Sequence, residues 1–484
     1  MDCQIGARSC PGTRHRKRTC QHSSGASENA KLWLDFTIEK APWFVGRFPA
    51  VNVLEIMLGN TNLKSDVCGR FSPSAALAVR TRCPTRPAAK DLGVLIPPLK
   101  AIPTACLVLL AAVLPAAAED GVSADKIMFG QAAALGGPAG ALGQGMKIGM
   151  EAAFAEVNKV GGVKGRKLEL KSVDDGYEPT QSIEVVKKLL ADDKVFAIAG
   201  PVGTPTAMAT LPIASAAGAP FIGAFTGSGA LRDPYNPLVM NVRASYFEET
   251  EAMVAHLTKD LGATRIAIIY QDDAFGQAGL AGVKRALDKR KMELAAEGTF
   301  ERNTVAVKGA LLAVRRAKPD AVIMIAPYKP AAQFIKIARQ IKFDATCVNI
   351  SFVGSDALAK ELGGGGEGTV VTQVVPFPTD TSIPVVARYQ AALKASAPDA
   401  EPGFISLEGY LVGRAIVAVL EKIDGEPTRK AFVEAVQKSG GFDLGGFKLA
   451  YGQSNNRGSS EVFLTKIEAD GSFKSVTSLA KAKF

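Results

Sequence analysis

The sequence predicts an α/β protein of two Rossmann-like lobes, each built on a parallel sheet and joined by a three-segment hinge. Three observations predict it. Short apolar runs alternate with amphipathic helical stretches, the pattern of parallel sheets covered on both faces. The alternation stops near residue 241 and resumes at residue 265. About 366 residues follow position 118, enough for two domains.

Taken in order, residues 126–130 read as a buried strand. Residues 146–160 read as a helix: Met146, Met150, Phe154 and Val157 form one stripe, and Gly161-Gly162 stops it. Residues 166–173 form a strand, 180–190 a helix and 195–199 another strand. Thr204 is placed to cap the next helix with Pro205 at its first position, and Pro212 predicts a kink or break near Leu211. The second series places strands at 265–270, 321–325 and 347–352. Between the series, residues 241–248 join the lobes and enter a helix through a capping box, Ser245 answered by Glu248. Further joins fall near 370–378 and 461–465. These joins assign 119–242 plus 378–462 to the first lobe and 243–377 plus 463–484 to the second. No repeat appears at solenoid periods.

The first 118 residues have a different character. They hold both tryptophans and every cysteine but Cys347. They carry 15 Lys+Arg against 7 Asp+Glu, while the rest carries 42 against 40, so the basic balance belongs to this segment. Lys100, the apolar run from Leu107 and the small residues Ala116-Ala117-Ala118 read as an export signal spanning 100–118. The run is too short to span a bilayer, which takes about 20 apolar residues. Residues 1–99 are expected to be an extension upstream of the true start, disordered or poorly packed. No Met lies between Met57 and Met128, so that start would use a non-standard codon at Val94 or a nearby Leu. The basic run Arg14-His15-Arg16-Lys17-Arg18 falls in the extension, so no nucleic-acid partner is expected of the exported protein. With one cysteine after 118, that part makes no internal disulfide and relies on its apolar cores.

Several strand ends carry residues suited to ligand contact. Gly136-Gly137-Pro138-Ala139-Gly140 through Gly145 is a glycine-rich loop that serves either as an anion cradle or as a tight turn. Ile148 stands where a dinucleotide fingerprint needs its third glycine. Gly200 to Thr206 offers the Thr204 hydroxyl and free N–H groups at a helix start, for a ligand carboxylate or for the helix alone. Ala224 and Thr226 follow the next strand, in a ligand wall or an ordinary turn. On the second lobe, Phe275, Tyr328 and Asp356 follow three strand ends, the side of an open α/β sheet where ligands sit. Asp356 either meets a ligand ammonium or caps a helix. His256, Asp174-Asp175 and Cys347 form no nucleophile-and-base set, and no metal-ligand cluster is visible. No catalytic residue, metal or cofactor is expected.

In order along nearly the whole chain after 118, Gly136-Gly-Pro138, Gly161 to Leu168, Asp174-Asp175, Gly200-x-x-Gly203-Thr204, Ala224-Phe-Thr226 and Gly354-Ser-Asp356 resemble the type I periplasmic binding proteins of ABC transporters. The branch resembled is that of the branched-chain amino-acid (Leu/Ile/Val) binding proteins. The resemblance implies that Thr204, Ala224 and Thr226 hold a ligand carboxylate and that Tyr328 and Asp356 meet an ammonium. Leu142 stands where those proteins carry a tyrosine, and Asp356 where they carry a glutamate. Glu408 is expected to line the cleft. The implied protein is a monomeric periplasmic receptor for a small amino-acid-like or carboxylate ligand, working with an inner-membrane ABC permease. A sensory protein signalling to a receptor or kinase is the alternative. The ligand itself stays open among amino acids, other small carboxylates, aromatic acids and amides.

Overall fold

A computed structural model describes residues 119–479; the extension 1–99 and the export segment 100–118 lie outside the described residues. The first lobe holds a parallel sheet of β1 (Lys126–Ala133), β2 (Lys167–Asp174), β3 (Ala197–Ala199), β4 (Phe221–Ile222) and β5 (Val239–Met240). Its strand order is β2-β1-β3-β4-β5. The crossovers are α1 (Gly140–Asn158), α2 (Pro179–Ala191) and α3 (Thr204–Ala216).

Helix α1 starts in the glycine-rich run, and close packing explains much of that composition. A Cβ on Gly149 would lie 2.0 Å from the carbonyl oxygen of Ser406, so two helices touch backbone to backbone there. Helix α3 departs from expectation twice. Gly203, at φ 101°, is its cap, and Thr204 is the first helical residue. The helix also runs through Pro212 to Ala216. The carbonyl deprived of a partner by Pro212 is that of Met208, four residues back. Met208 is 45% exposed, so water can satisfy it.

The chain then enters the second lobe through α4 (Tyr246–Leu261). Its capping box forms as read: Ser245 accepts from the Glu248 amide, and the Glu248 carboxylate accepts from the Ser245 amide. There follow β6 (Ile266–Gln271), α5 (Ala274–Asp288), β7 (Ala296–Phe300), α6 (Lys308–Arg316) and β8 (Ala321–Ile325). The series continues with α7 (Tyr328–Gln340), β9 (Thr346–Asn349), α8 (Ser355–Leu362) and β10 (Val370–Gln373). The chain returns to the first lobe with α9 (Pro384–Ser396), α10 (Phe404–Glu421) and α11 (Arg429–Lys438). A small antiparallel sheet follows, of β11 (Phe442–Asp443), β12 (Lys448–Gly452) and β13 (Asn455–Gly458). It crosses once more to β14 (Phe463–Ile467) and β15 (Phe473–Val476), which extend the second sheet to the order β15-β14-β10-β9-β8-β6-β7.

Five strands of that sheet are parallel, and β14 and β15 run antiparallel at its edge. The three crossings lie near 241–245, 374–383 and 459–462. Two of them are laced together: the Asn241 amide donates to Asn456 O at 3.0 Å and the Ser459 amide to Val242 O at 3.0 Å. The Tyr451 hydroxyl bonds to Asn241 O at 2.6 Å. Strand ends of both sheets therefore face one seam beside the hinge.

Candidate functional site

On the first-lobe side of the seam, Thr204 opens α3 and Thr226 follows β4. Their hydroxyls lie 2.7 Å apart, and both residues are buried. Thr226 Oγ1 also donates to the Tyr246 hydroxyl at 3.2 Å and accepts from the Ser228 amide. Ala224 is buried beside them, its carbonyl accepting from the Thr226 amide. The first turn of α3 adds backbone donors that have no intrahelical acceptor.

Aromatic rings close the seam over these groups. Phe352, in the turn after β9, is the hub. Its centroid lies 4.4 Å from Phe275, 5.4 Å from Phe225 and 6.0 Å from Tyr177. Phe275 in turn meets Tyr246 at 5.6 Å. Tyr177 stands in the left-handed region at φ 60°, a costly place for a bulky residue. Asp175 holds it there: one carboxylate oxygen accepts from the Tyr177 amide at 2.9 Å and the other from the Ser182 hydroxyl at 2.7 Å. Burial pushes the Asp175 carboxyl up to about 6. The Tyr177 hydroxyl accepts from Gln271 Nε2 of the second lobe at 3.2 Å. Gly203 makes room for the ring, since a Cβ there would fall 2.2 Å from it.

Beneath the rings lies a buried ion pair. Arg243, in the first hinge crossing, directs Nη2 to Glu408 Oε2 of α10 at 3.0 Å. Its Nε is 2.9 Å from Oε1, a charge contact off the line of a good hydrogen bond. The side chains are 1% and 3% exposed. Nη1 is buried without a hydrogen-bond partner among the described residues. The guanidinium rests 4.4 Å above the Phe225 ring. Burial raises the Glu408 carboxyl above the usual carboxylate range, against the pull of Arg243. A second buried carboxylate, Glu249 of α4, accepts from the Ser351 amide at 2.9 Å, the Ser351 hydroxyl at 3.0 Å and the Thr372 hydroxyl at 2.6 Å. It thereby fixes the turn that carries Phe352. A residual cavity of about 10 Å³ remains between Phe225, Arg243, Glu408, Ser351, Gln373 and Phe404.

Leu142, Tyr328 and Asp356 form a second group, around the start of α10. The Tyr328 hydroxyl faces the Ala141 amide across the seam at 3.5 Å. Leu142 is buried, and a Cβ on Gly354 would come within 2.6 Å of its methyl. Asp356 lies in the first turn of α8, and its carboxylate accepts from the Phe404 amide at 3.0 Å. That places a negative charge at the positive end of α10.

The structure thus brings Thr204, Thr226 and Phe275 together through one aromatic cluster, and it ties Glu408 to them through Arg243. Tyr328, Leu142 and Asp356 bridge the lobes beside Phe404, which borders the same cavity. Sequence reasoning missed Arg243, Phe352, Tyr246, Tyr177 and Glu249. An arginine inside an apolar interlobe join was the one available signal, and it went unused. Among the described residues no group of three or more His, Cys, Asp or Glu side chains is placed to hold a metal ion. No described helix is long and apolar enough to cross a membrane.

A family model described as "Periplasmic binding protein" matches residues 126–472. Leu/Ile/Val-binding protein homolog 7 of Brucella suis biovar 1 is 24% identical over 363 residues, covering 72% of this chain and 88% of that protein. Leu/Ile/Val-binding protein BraC3 of Rhizobium johnstonii is 26% identical over 377 residues, covering 76% and 96%. Among solved structures, a possible leucine/isoleucine/valine-binding protein from Rhodopirellula baltica SH 1 is similar, with a TM-score of 0.70 at 37% identity. That match covers 75% of this chain and 98% of the other.

Proposed function

The chain belongs to the periplasmic binding protein family, and on that premise we propose that it is the exported substrate-binding component of an ABC importer. It captures a small amino-acid-like or carboxylate ligand in the seam by hinge closure and presents the closed form to a membrane permease. The observation that carries the reading is the seam itself. Strand ends of both sheets converge on it, three crossings flank it, and hydroxyls, a guanidinium, carboxylates and aromatic rings line it. Thr204, Ala224 and Thr226 are the carboxylate wall of this proposal. Phe275, Leu142, Tyr328 and Asp356 close over the guest, and Glu408 acts through Arg243.

Nothing in this function requires a bond to be made or broken. A micromolar dissociation constant corresponds to about −8.2 kcal/mol, within reach of charge-assisted bonds in a site that excludes water. Moving the clamp from 1:99 closed to 99:1 closed takes a ligand preference of about 5.5 kcal/mol for the closed form.

A thermal-shift screen of amino acids, aromatic acids, dicarboxylates and amides, followed by X-ray scattering with the best hit, tests the proposal. The expected result is a raised melting temperature together with a smaller radius of gyration. Thr204→Ala and Asp356→Ala should each weaken that hit by about tenfold or more, one lost charge-assisted bond being worth about 1.5–3 kcal/mol. Normal binding by both variants refutes the site, and a particle whose dimensions no ligand changes refutes the clamp.

A further inference from the structure

The rings of the seam are arranged as two walls. Tyr177 and Phe225 rise from strand ends of the first lobe, Phe275 and Phe352 from strand ends of the second, and the closest cross-seam pair is Phe225 with Phe352 at 5.4 Å. Hinge opening would separate the walls and uncover the ring surfaces that Tyr177 and Phe225 turn toward Phe352, with Phe275 still stacked behind Phe352. Their positions are built, at a cost elsewhere in the fold. Tyr177 is held at positive φ by Asp175, and Phe352 sits in a turn pinned by two hydrogen bonds from Ser351 to Glu249, a carboxylate that Thr372 of β10 holds by a third. An aliphatic guest needs only apolar area, which leucines or valines at these positions would supply. Four faces and edges that meet in tilted pairs suit a guest with a quadrupole of its own.

The floor below the walls is specific as well. The Arg243 guanidinium lies on the Phe225 face and borders the residual cavity, and its buried Nη1 has no partner among the described residues. A buried donor of a charged group without an acceptor is costly, and native structures keep few of them. A planar acceptor such as a carboxylate resting against Phe225 would reach it, with the Thr204 and Thr226 hydroxyls on the first-lobe side.

Building on the receptor reading above, we infer that the ligand is an aromatic carboxylate. Its ring enters between Tyr177 and Phe225 on one side and Phe275 and Phe352 on the other, with the carboxylate accepting from Arg243 Nη1. Phe352 and Arg243 are then the specificity-determining residues.

Titration calorimetry of the purified protein with benzoate, cyclohexanecarboxylate, benzamide and leucine tests this. Benzoate and cyclohexanecarboxylate share charge and approximate size and differ in the π-system; benzoate and benzamide share shape and differ in charge. Benzoate should bind at least tenfold more tightly than each of the other three. Phe352→Leu should erase the advantage over cyclohexanecarboxylate, the ratio of the two affinities falling from at least tenfold to within about threefold. Arg243→Met paired with Glu408→Leu, which removes the guanidinium charge without stranding its buried partner, should erase the advantage over benzamide, with circular dichroism confirming that the variant is folded. Equal or tighter binding of cyclohexanecarboxylate or leucine overturns the aromatic inference. If leucine also contracts the particle in scattering, the receptor reading stands without it. Benzamide binding as well as benzoate overturns the assignment to Arg243. Failure of every small molecule, in this set and in the wider screen, to bind or contract the protein overturns the receptor reading itself.

Discussion

Glu408→Ala should destabilise the fold by about 3–5 kcal/mol, the range for breaking one partner of a buried ion pair. The structure says why so large an effect is expected. Arg243 is 1% exposed, and the Glu408 carboxylate is the group that meets it at both Nη2 and Nε. The guanidinium does not shed its proton, so truncation of Glu408 leaves a full charge out of water. Its contact with Phe225 remains and is worth about 2 kcal/mol when desolvated, and the field of Glu249 also persists. Together these favour the low end of the range, about 3 kcal/mol. Replacing both charges, Arg243→Met with Glu408→Leu, removes the desolvation problem along with the attraction. The double variant should therefore lie within about 1 kcal/mol of the parent. Urea unfolding followed by circular dichroism, on the parent, Arg243→Met, Glu408→Leu and the double variant, with Glu408→Ala alongside, gives the coupling directly. A Glu408→Ala loss below about 1 kcal/mol, or a double variant as unstable as the two singles added together, would refute the view that this pair is a sealed electrostatic unit.

Burial raises the Asp175 carboxyl from its ordinary value of 3.8 to about 6 in the fold, so the folded state holds the proton more tightly. Its stabilising contribution is complete below about 3.8 and is lost as pH rises through about 6. Asp175→Asn should therefore be more stable than the parent at neutral pH by about 2–3 kcal/mol, with the gap narrowing as pH falls toward 4.5; a gap independent of pH in urea titrations refutes this. Ser245→Ala removes the side chain that caps α4 and should cost about 1 kcal/mol in the same assay, whereas Ser245→Asp should restore most of it. Gly458 holds φ 78°, and a Cβ there would fall 2.3 Å from Asn241 O. Gly458→Ala should cost about 2 kcal/mol or more in thermal unfolding and should weaken ligand closure, because it pries apart two of the three hinge strands.

The fold was legible because its signals are local and periodic. The stripe Met146, Met150, Phe154, Val157 lies on the buried side of α1, and the Ser245–Glu248 box needs only four consecutive residues to be recognised. Thr204 and Thr226 were legible for a related reason: each stands just past an apolar strand, and α/β topology aims such positions at one edge. The boundary of α3 was misplaced by a residue because Gly203 and Thr204 are both good caps, and only the backbone angle of Gly203 decides between them. The edge hairpin of β14 and β15 went unforeseen because an antiparallel strand pair is two short half-buried runs, without the helix between them that marks a parallel unit.

The deeper half of the site was illegible for a different reason. Arg243 acquires its meaning from Glu408 and Phe225, and Glu249 from Ser351 and Thr372, partners separated by 165, 102 and 123 residues in the chain for the bonds that define them. Read alone, a glutamate in the first turn of a helix is a dipole partner, and an arginine in a join is a solvated charge. Both are buried only because the three crossings bring remote segments onto one seam. Tyr177 is a sharper case, since a bulky residue at positive φ contradicts local preference and no pattern announces it. Its position becomes intelligible once Asp175 holds its amide and Phe352 faces its ring from the other lobe. Local rules thus fail where the two lobes meet, because the side chains there are buried by partners that neither lobe supplies alone.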